Sequence, residues 1–247
     1  MTMAVPPGDL VAAFGAVHGN ASLVLLEGLH PWKHAHRFGA IVLLAATHDR
    51  RRLQRLVDRL APDLSLETVQ DVDETVWQQL APRDTTSPLL AVAERREWSL
   101  DDVRSNGHVV VLDRPRHAGN VGAAIRAAAA ANAAGVVTLG GVDPWTPAAV
   151  RGAAGLQFAL PVVPLPEGSP VPDLGRPTVA LDPEGAPLVA ATTTATTWVF
   201  GTERDGLDER LLAACDAVAS LPMRDGVSSL NLAVSVGVVL YLQETDG

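Results

Sequence analysis

Three short segments of this 247-residue chain place polar side chains and glycines directly after apolar runs. Segments of that kind sit where open α/β sheets bind their ligands. In the first, residues 116–126 (RHAGNVGAAIR), Asn120, Gly122 and Arg126 fall near the start of an alanine-rich stretch. Arg126 is the only charge between residues 121 and 137, so it either reaches solvent or serves a site. Asn120 could equally be a helix cap. The second segment, residues 200–207 (FGTERDGL), flanks Glu203 with Gly201 and Gly206. Glycine there permits close backbone approach and a tight turn, while a glutamate could simply satisfy helix amides. The third, residues 220–231 (SLPMRDGVSSLN), ends with Ser228, Ser229 and Asn231 ahead of an apolar stretch. Taken alone, Ser229 reads as an ordinary cap.

Other familiar chemistries lack their residues. No G-x-x-x-x-G-K-[ST] phosphate loop is present, and no G-x-G-x-x-G follows an apolar run. His34 and His36 lack a third ligand nearby, so no metal is expected. The single cysteine, Cys215, ends an apolar segment and reads as core rather than nucleophile.

Around these segments, apolar runs alternate with amphipathic ones, which is the α/β pattern. Strands are expected over residues 21–27, 40–46, 66–69 and 89–94, with helices over 10–18, 49–60 and 73–80 between them. After a polar stretch at residues 95–107, strands are expected at 108–112, 136–139, 178–181, 198–200 and 217–221. Helices are expected at about 122–134, 207–215 and 230–243. Residues 161–187 hold eight of the 18 prolines and read as extended surface connections. The domains are therefore placed at residues 1–98 and 105–247.

Composition bounds the class. With 47% hydrophobic and 19% charged residues, most of the chain must fold. The apolar stretch at residues 230–242 is 13 residues long, short of the roughly 20 that span a bilayer. No secretory leader is visible, so a cytoplasmic protein without membrane contact is expected. The net charge of −9 is unusual for a nucleic-acid binder. It is unevenly spread: residues 1–100 net −2, against −7 for the remainder. Arg51, Arg52, Arg55 and Arg59 share one helix face by spacing, either a solvated face or an RNA contact.

Together the three segments resemble the SpoU–TrmH family of RNA 2′-O-ribose methyltransferases, in the SPOUT superfamily. Asn120–Arg126 matches N-x-G-x-x-x-R, and Gly201–Gly206 matches G-x-E-x-x-G. Leu221-Pro-Met223 and Ser229-Leu230-Asn231 match the I-P-M and S-L-N elements. Residues 25–38 (LLEGLHPWKHAHRF) are similar to the start of the L30e-like substrate domain of many members. The resemblance implies an α/β fold: a C-terminal α/β-knot domain (a deep trefoil knot) with a parallel sheet, preceded by a smaller L30e-like domain that binds the RNA. It implies S-adenosyl-L-methionine as cofactor, rRNA or tRNA as substrate, and a homodimer joined through the C-terminal domain. Gly201, Leu221, Met223 and Leu230 would hold the cofactor. Arg126, Asn120, Glu203, Ser229 and Asn231 would form the catalytic wall, and Arg51, Arg52 and Arg55 would contact RNA. A non-catalytic RNA-binding or ribosome-assembly module on the same fold is the competing expectation.

Overall fold

The computed structural model describes residues 5–82, 85–103, 106–188, 194–202 and 206–243. The chain divides into two compact units, Met1–Arg96 with Ala154–Phe158, and Glu97–Ala153 with Ala159–Gly247. The return of Ala154–Phe158 to the first unit has no counterpart in the boundaries expected from sequence.

In the first unit, α1 (Pro7–Ala16) is followed by β1 (Leu23–Glu27), α2 (Leu29–Arg37), β2 (Val42–Thr47) and α3 (Arg50–Leu60). Then come β3 (Val69–Asp71), α4 (Glu74–Leu80) and β4 (Leu89–Glu94). The strands pair in the order β1-β4-β2-β3, with β4 antiparallel to both neighbours and β2 parallel to β3. Leu10 and Phe14 of α1 and Trp77 and Leu80 of α4 pack with Leu25, Leu90 and Val92 of the sheet. Asp49 and Asp73 cap α3 and α4 by accepting from the amides of Arg52 and Val76. The amphipathic α3 buries Leu53 and Val57, which turns Arg51, Arg52, Arg55 and Arg59 to solvent.

The two histidines of α2 that sequence analysis weighed as metal ligands have different surroundings, and His36 Nε2 is buried with no hydrogen-bond partner among the described residues. His34 Nδ1 lies 2.7 Å from the carbonyl oxygen of Ala154, and the His36 ring meets Trp32 edge-on at 4.6 Å. Burial lowers both imidazoles below the ordinary value of 6.5. The unfolded chain therefore binds protons more readily than the folded one just below that value. Their contribution to stability is complete above pH 6.5 and falls away as the pH drops below it. We expect the urea midpoint to decline from pH 7.5 to 5.5, and His36→Gln to flatten that decline. A midpoint constant over this range would contradict the assignment.

In the second unit, β5 (Val109–Asp113) leads into α5 (Ala118–Ala130), β6 (Gly135–Leu139), α6 (Pro147–Gly152) and β7 (Val162–Leu165). These are followed by β8 (Thr178–Pro187), β9 (Thr197–Phe200), α7 (Glu209–Ala214), β10 (Ala217–Ser220) and α8 (Leu232–Leu242). The six strands are all parallel, in the order β10-β8-β9-β5-β6-β7. Both faces are covered, which explains the continuous apolar runs. Val110 and Leu112 of β5 join Trp198 and Phe200 on the face under α5 and α8. Val109, Val111 and Val199 point the other way, toward Leu211 of α7.

Two contacts fix the helices on this sheet. At Gly122 an added Cβ would lie 2.2 Å from the carbonyl oxygen of Ala149, so α5 and α6 touch backbone to backbone. At the other end of the sheet, buried His108 accepts at Nδ1 from the amide of Thr196 and the indole N–H of Trp198, both at 3.2 Å. With Nδ1 an acceptor, Nε2–H donates to the carbonyl of Gln243, at 2.5 Å, just past α8. No helix among the described residues is long and apolar enough to cross a membrane.

Candidate active site

The candidate residues enter from three strand ends. β9 stops at Phe200 and the chain reverses at Gly201: Thr202 and Gly206 exchange backbone hydrogen bonds of 3.1 and 3.3 Å. Gly206 takes a φ of +65°, the left-handed region that favours glycine. Gly201 is required for a different reason. A Cβ there would sit 2.3 Å from the carbonyl carbon of Gly206. Glu203 lies outside the described residues.

From β10 the chain runs through Leu221 and Met223, and residues 228–231 then open α8. A cavity of about 280 Å³ lies between this segment and the Gly201 turn. Gly201, Leu221, Met223, Ser229 and Leu230 all line it. So do Asp182, Thr202, Ser228 and Ser235, which sequence analysis did not single out for this purpose. Its walls are chiefly leucine, methionine, proline and phenylalanine, with hydroxyls and one carboxylate, and none of the described lining residues is cationic. Such a lining suits a flat, largely uncharged ring system rather than a polyphosphate.

Beside the cavity lies a polar pair. Asn231, rather than Ser229, is the cap of α8: its side-chain oxygen accepts from the amide of Ala233 at 2.9 Å. The amide nitrogen of the same side chain donates to Oδ1 of Asn120 at 3.0 Å. Asn120 is not a cap, since α5 begins at Ala118 with His117 as its N-cap residue. The two asparagines thus tie the first turns of α5 and α8 together.

Arg126 stands apart. It is exposed on α5 and does not line the cavity. Six residues beyond Asn120, it lies about 9 Å farther along the helix axis. It forms no ion pair with a described residue. The structure therefore brings Asn120 and Asn231 together, gathers Ser229 with Gly201, Leu221, Met223 and Leu230, and leaves the guanidinium without an ion pair among the described residues.

Cys215 closes α7, half-buried. Burial pushes its thiol above the ordinary value, with Asp216 adding to the shift. A thiol held protonated in this way is a poor nucleophile.

The sequence profile described as the SpoU rRNA Methylase family matches residues 107–241, more than half of the chain. The chain belongs to that family. This SpoU-family chain is 28% identical over 234 residues to the 23S rRNA (uridine(2479)-2′-O)-methyltransferase of Streptomyces viridochromogenes, covering 88% of this chain and 80% of that one. It is 27% identical over 221 residues to the 23S rRNA (guanosine-2′-O-)-methyltransferase RlmB of Haemophilus ducreyi, covering 81% and 87%. Among solved structures it is similar to the SpoU methyltransferase AviRb from Streptomyces viridochromogenes in complex with AdoMet. The TM-score is 0.73 at 25% identity, over 94% of this chain and 95% of that one.

Proposed function

We propose that this chain is an S-adenosylmethionine-dependent methyltransferase that methylates a ribose 2′-hydroxyl of ribosomal RNA. The observation that carries the reading is one cavity at the strand ends, lined by Gly201, Leu221, Met223 and Leu230, with the Asn120–Asn231 pair beside it. The apolar walls suit an adenine ring, and the turn built on Gly201 leaves backbone groups to meet its edge. When bound, S-adenosylmethionine supplies an electrophilic sulfonium methyl.

The protein's part is to make a weak nucleophile stronger and hold it in line. Arg126 is assigned to the RNA, where it would hold a phosphate and stabilise the developing alkoxide. Arginine stays protonated in proteins, so it acts by charge and not as a base; the 2′-hydroxyl proton would pass to a phosphate oxygen of the RNA or to water as S-adenosylhomocysteine leaves. Asn120, Ser229 and Asn231 would position the ribose, with Glu203 assigned from its motif as the orienting acid.

We read the active assembly as a homodimer through the C-terminal domain. Val234, Val238 and Tyr241 of α8 are 50%, 36% and 53% exposed and fall within one stripe of that helix. An apolar stripe of this kind is costly in water and fits a second copy. The knotted topology and the L30e-like character of the N-terminal unit are taken from the family resemblance. A cytoplasmic location is part of this reading.

Incubating the protein with 23S rRNA and S-adenosylmethionine, then mapping 2′-O-methyl groups, tests the reading. Methylation of one ribose is expected. Calorimetric binding of S-adenosylmethionine without any transfer to RNA would favour a binding module instead. The exposed arginines of α3 carry a separate expectation: replacing Arg51, Arg52 and Arg55 with glutamine weakens RNA affinity. It also flattens the salt dependence by roughly 0.7–0.9 in log–log slope for each phosphate that is no longer neutralised. An unchanged slope would return these residues to a solvated face.

A further inference from the structure

We infer that Asp182 binds the ribose diol of the adenosine cofactor, an inference that rests on the reading of the cavity as the S-adenosylmethionine site. Asp182 is the one charged residue among the described residues of the cavity wall. It is held there by a break in strand pairing. β8 pairs with β10 as far as Ala180↔Val218, and the register then jumps to Ala186↔Ala219. Residues 181–185 therefore leave the β10 side of the ladder and return. Gly185 makes the return possible, since a Cβ there would lie 2.6 Å from the backbone of Ala219. Interruptions of this type re-aim side chains beside functional sites.

On its β9 side, Leu181 stays in register with Phe200, which sets Asp182 level with Gly201. One carboxylate oxygen, Oδ1, accepts from the amide of Glu184 at 2.9 Å and fixes the side chain. The other, Oδ2, lies 3.9 Å from the position a Cβ on Gly206 would take, so the carboxylate faces the glycine turn.

A carboxylate in a cavity for S-adenosylmethionine could meet either the cationic sulfonium or the two ribose hydroxyls. The sheet order decides between them. β8 flanks β9 on the side opposite β5, and Asn120, which holds Asn231 by its Oδ1, belongs to the helix that follows β5. Two strand spacings, roughly 10 Å at about 4.8 Å each, separate β8 from β5. The methyl must face the ribose of the RNA at the asparagines, so Asp182 sits at the nucleoside end. A carboxylate accepting from two vicinal hydroxyls is a general solution for holding ribose.

The test is calorimetry on the full chain with S-adenosylmethionine, S-adenosylhomocysteine and the 2′,3′-dideoxy form of S-adenosylhomocysteine. Asp182→Ala is expected to weaken the first two alike, by about 10- to 100-fold, and to leave the already weak dideoxy ligand nearly unchanged. Asp182→Asn keeps the acceptor for Glu184 and should show the same pattern with a smaller loss, which carries the test if the alanine variant does not fold. A loss confined to S-adenosylmethionine would mean attraction to the sulfonium, and an equal loss for the dideoxy form would mean a structural role. Either result, or unchanged affinities, overturns this assignment while leaving the cavity's function intact. Failure of the wild-type protein to bind S-adenosylmethionine or S-adenosylhomocysteine would overturn both.

Discussion

Arg126→Ala should lower methyl transfer to RNA by about 100- to 1,000-fold, as expected for removing one charged group that stabilises a developing oxyanion. Cofactor affinity should stay within about twofold of wild type, because Arg126 is exposed on α5 and does not line the cavity. The loss would therefore fall on turnover, the signature of an interaction made in the transition state. Lysine should restore little, since a compact ammonium lacks the planar fork that grips a phosphate. Single-turnover methylation assays beside calorimetry separate the two effects. Near wild-type turnover in Arg126→Ala would end the assignment of this guanidinium to the reacting oxygen.

The second large effect is expected at Gly201. Any side chain there would press on the carbonyl carbon of Gly206 at 2.3 Å and the amide nitrogen of Leu207 at 2.5 Å. Both are backbone atoms, and moving them opens the paired hydrogen bonds between Thr202 and Gly206. Gly201→Ala should cost about 1–3 kcal/mol of stability and weaken S-adenosylmethionine binding at least about 100-fold. Gly237→Ala is the matched control. A Cβ at position 237 meets only the Ala127 Cβ at 3.9 Å, so that exchange within α8 should be neutral or slightly stabilising. Equal affinities in the two variants would show that the turn is not part of the binding site.

Much of the scaffold was legible because burial on both faces leaves a plain signal. β4 and β5 are unbroken apolar runs, and their sequence-derived positions agree with the structure to within a residue. Where short elements carry mixed signals, the reading failed. β7 contains Pro164, which argues against a strand, yet β7 is the last strand of its sheet and a proline costs little on an edge. α6 has only six residues, although Thr146 followed by Pro147 is a recognisable helix start. The expected start of α5 fell at Gly122, with Asn120 weighed as its cap, whereas the helix begins at Ala118 and runs through Gly122, which lets Ala149 approach.

The site divides in a similar way. The residues on the cavity wall are identifiable as motif members from their ordered spacing, which no single segment would justify. Asp182 is silent in the sequence because D-P-E-G reads as a turn between strands. Only the pairing on both sides of β8 reveals a strand interrupted on one edge and continuous on the other.

One amide at position 231 both starts α8, by accepting from Ala233, and holds Asn120. On the reading proposed above, that side chain also lies where the ribose would bind. Selection for heat tolerance and selection for turnover then pull this position in the same direction. Removing this side chain would cost roughly 0.5–2 kcal/mol for the lost cap and, on the same reading, disturb the chemistry in a single step.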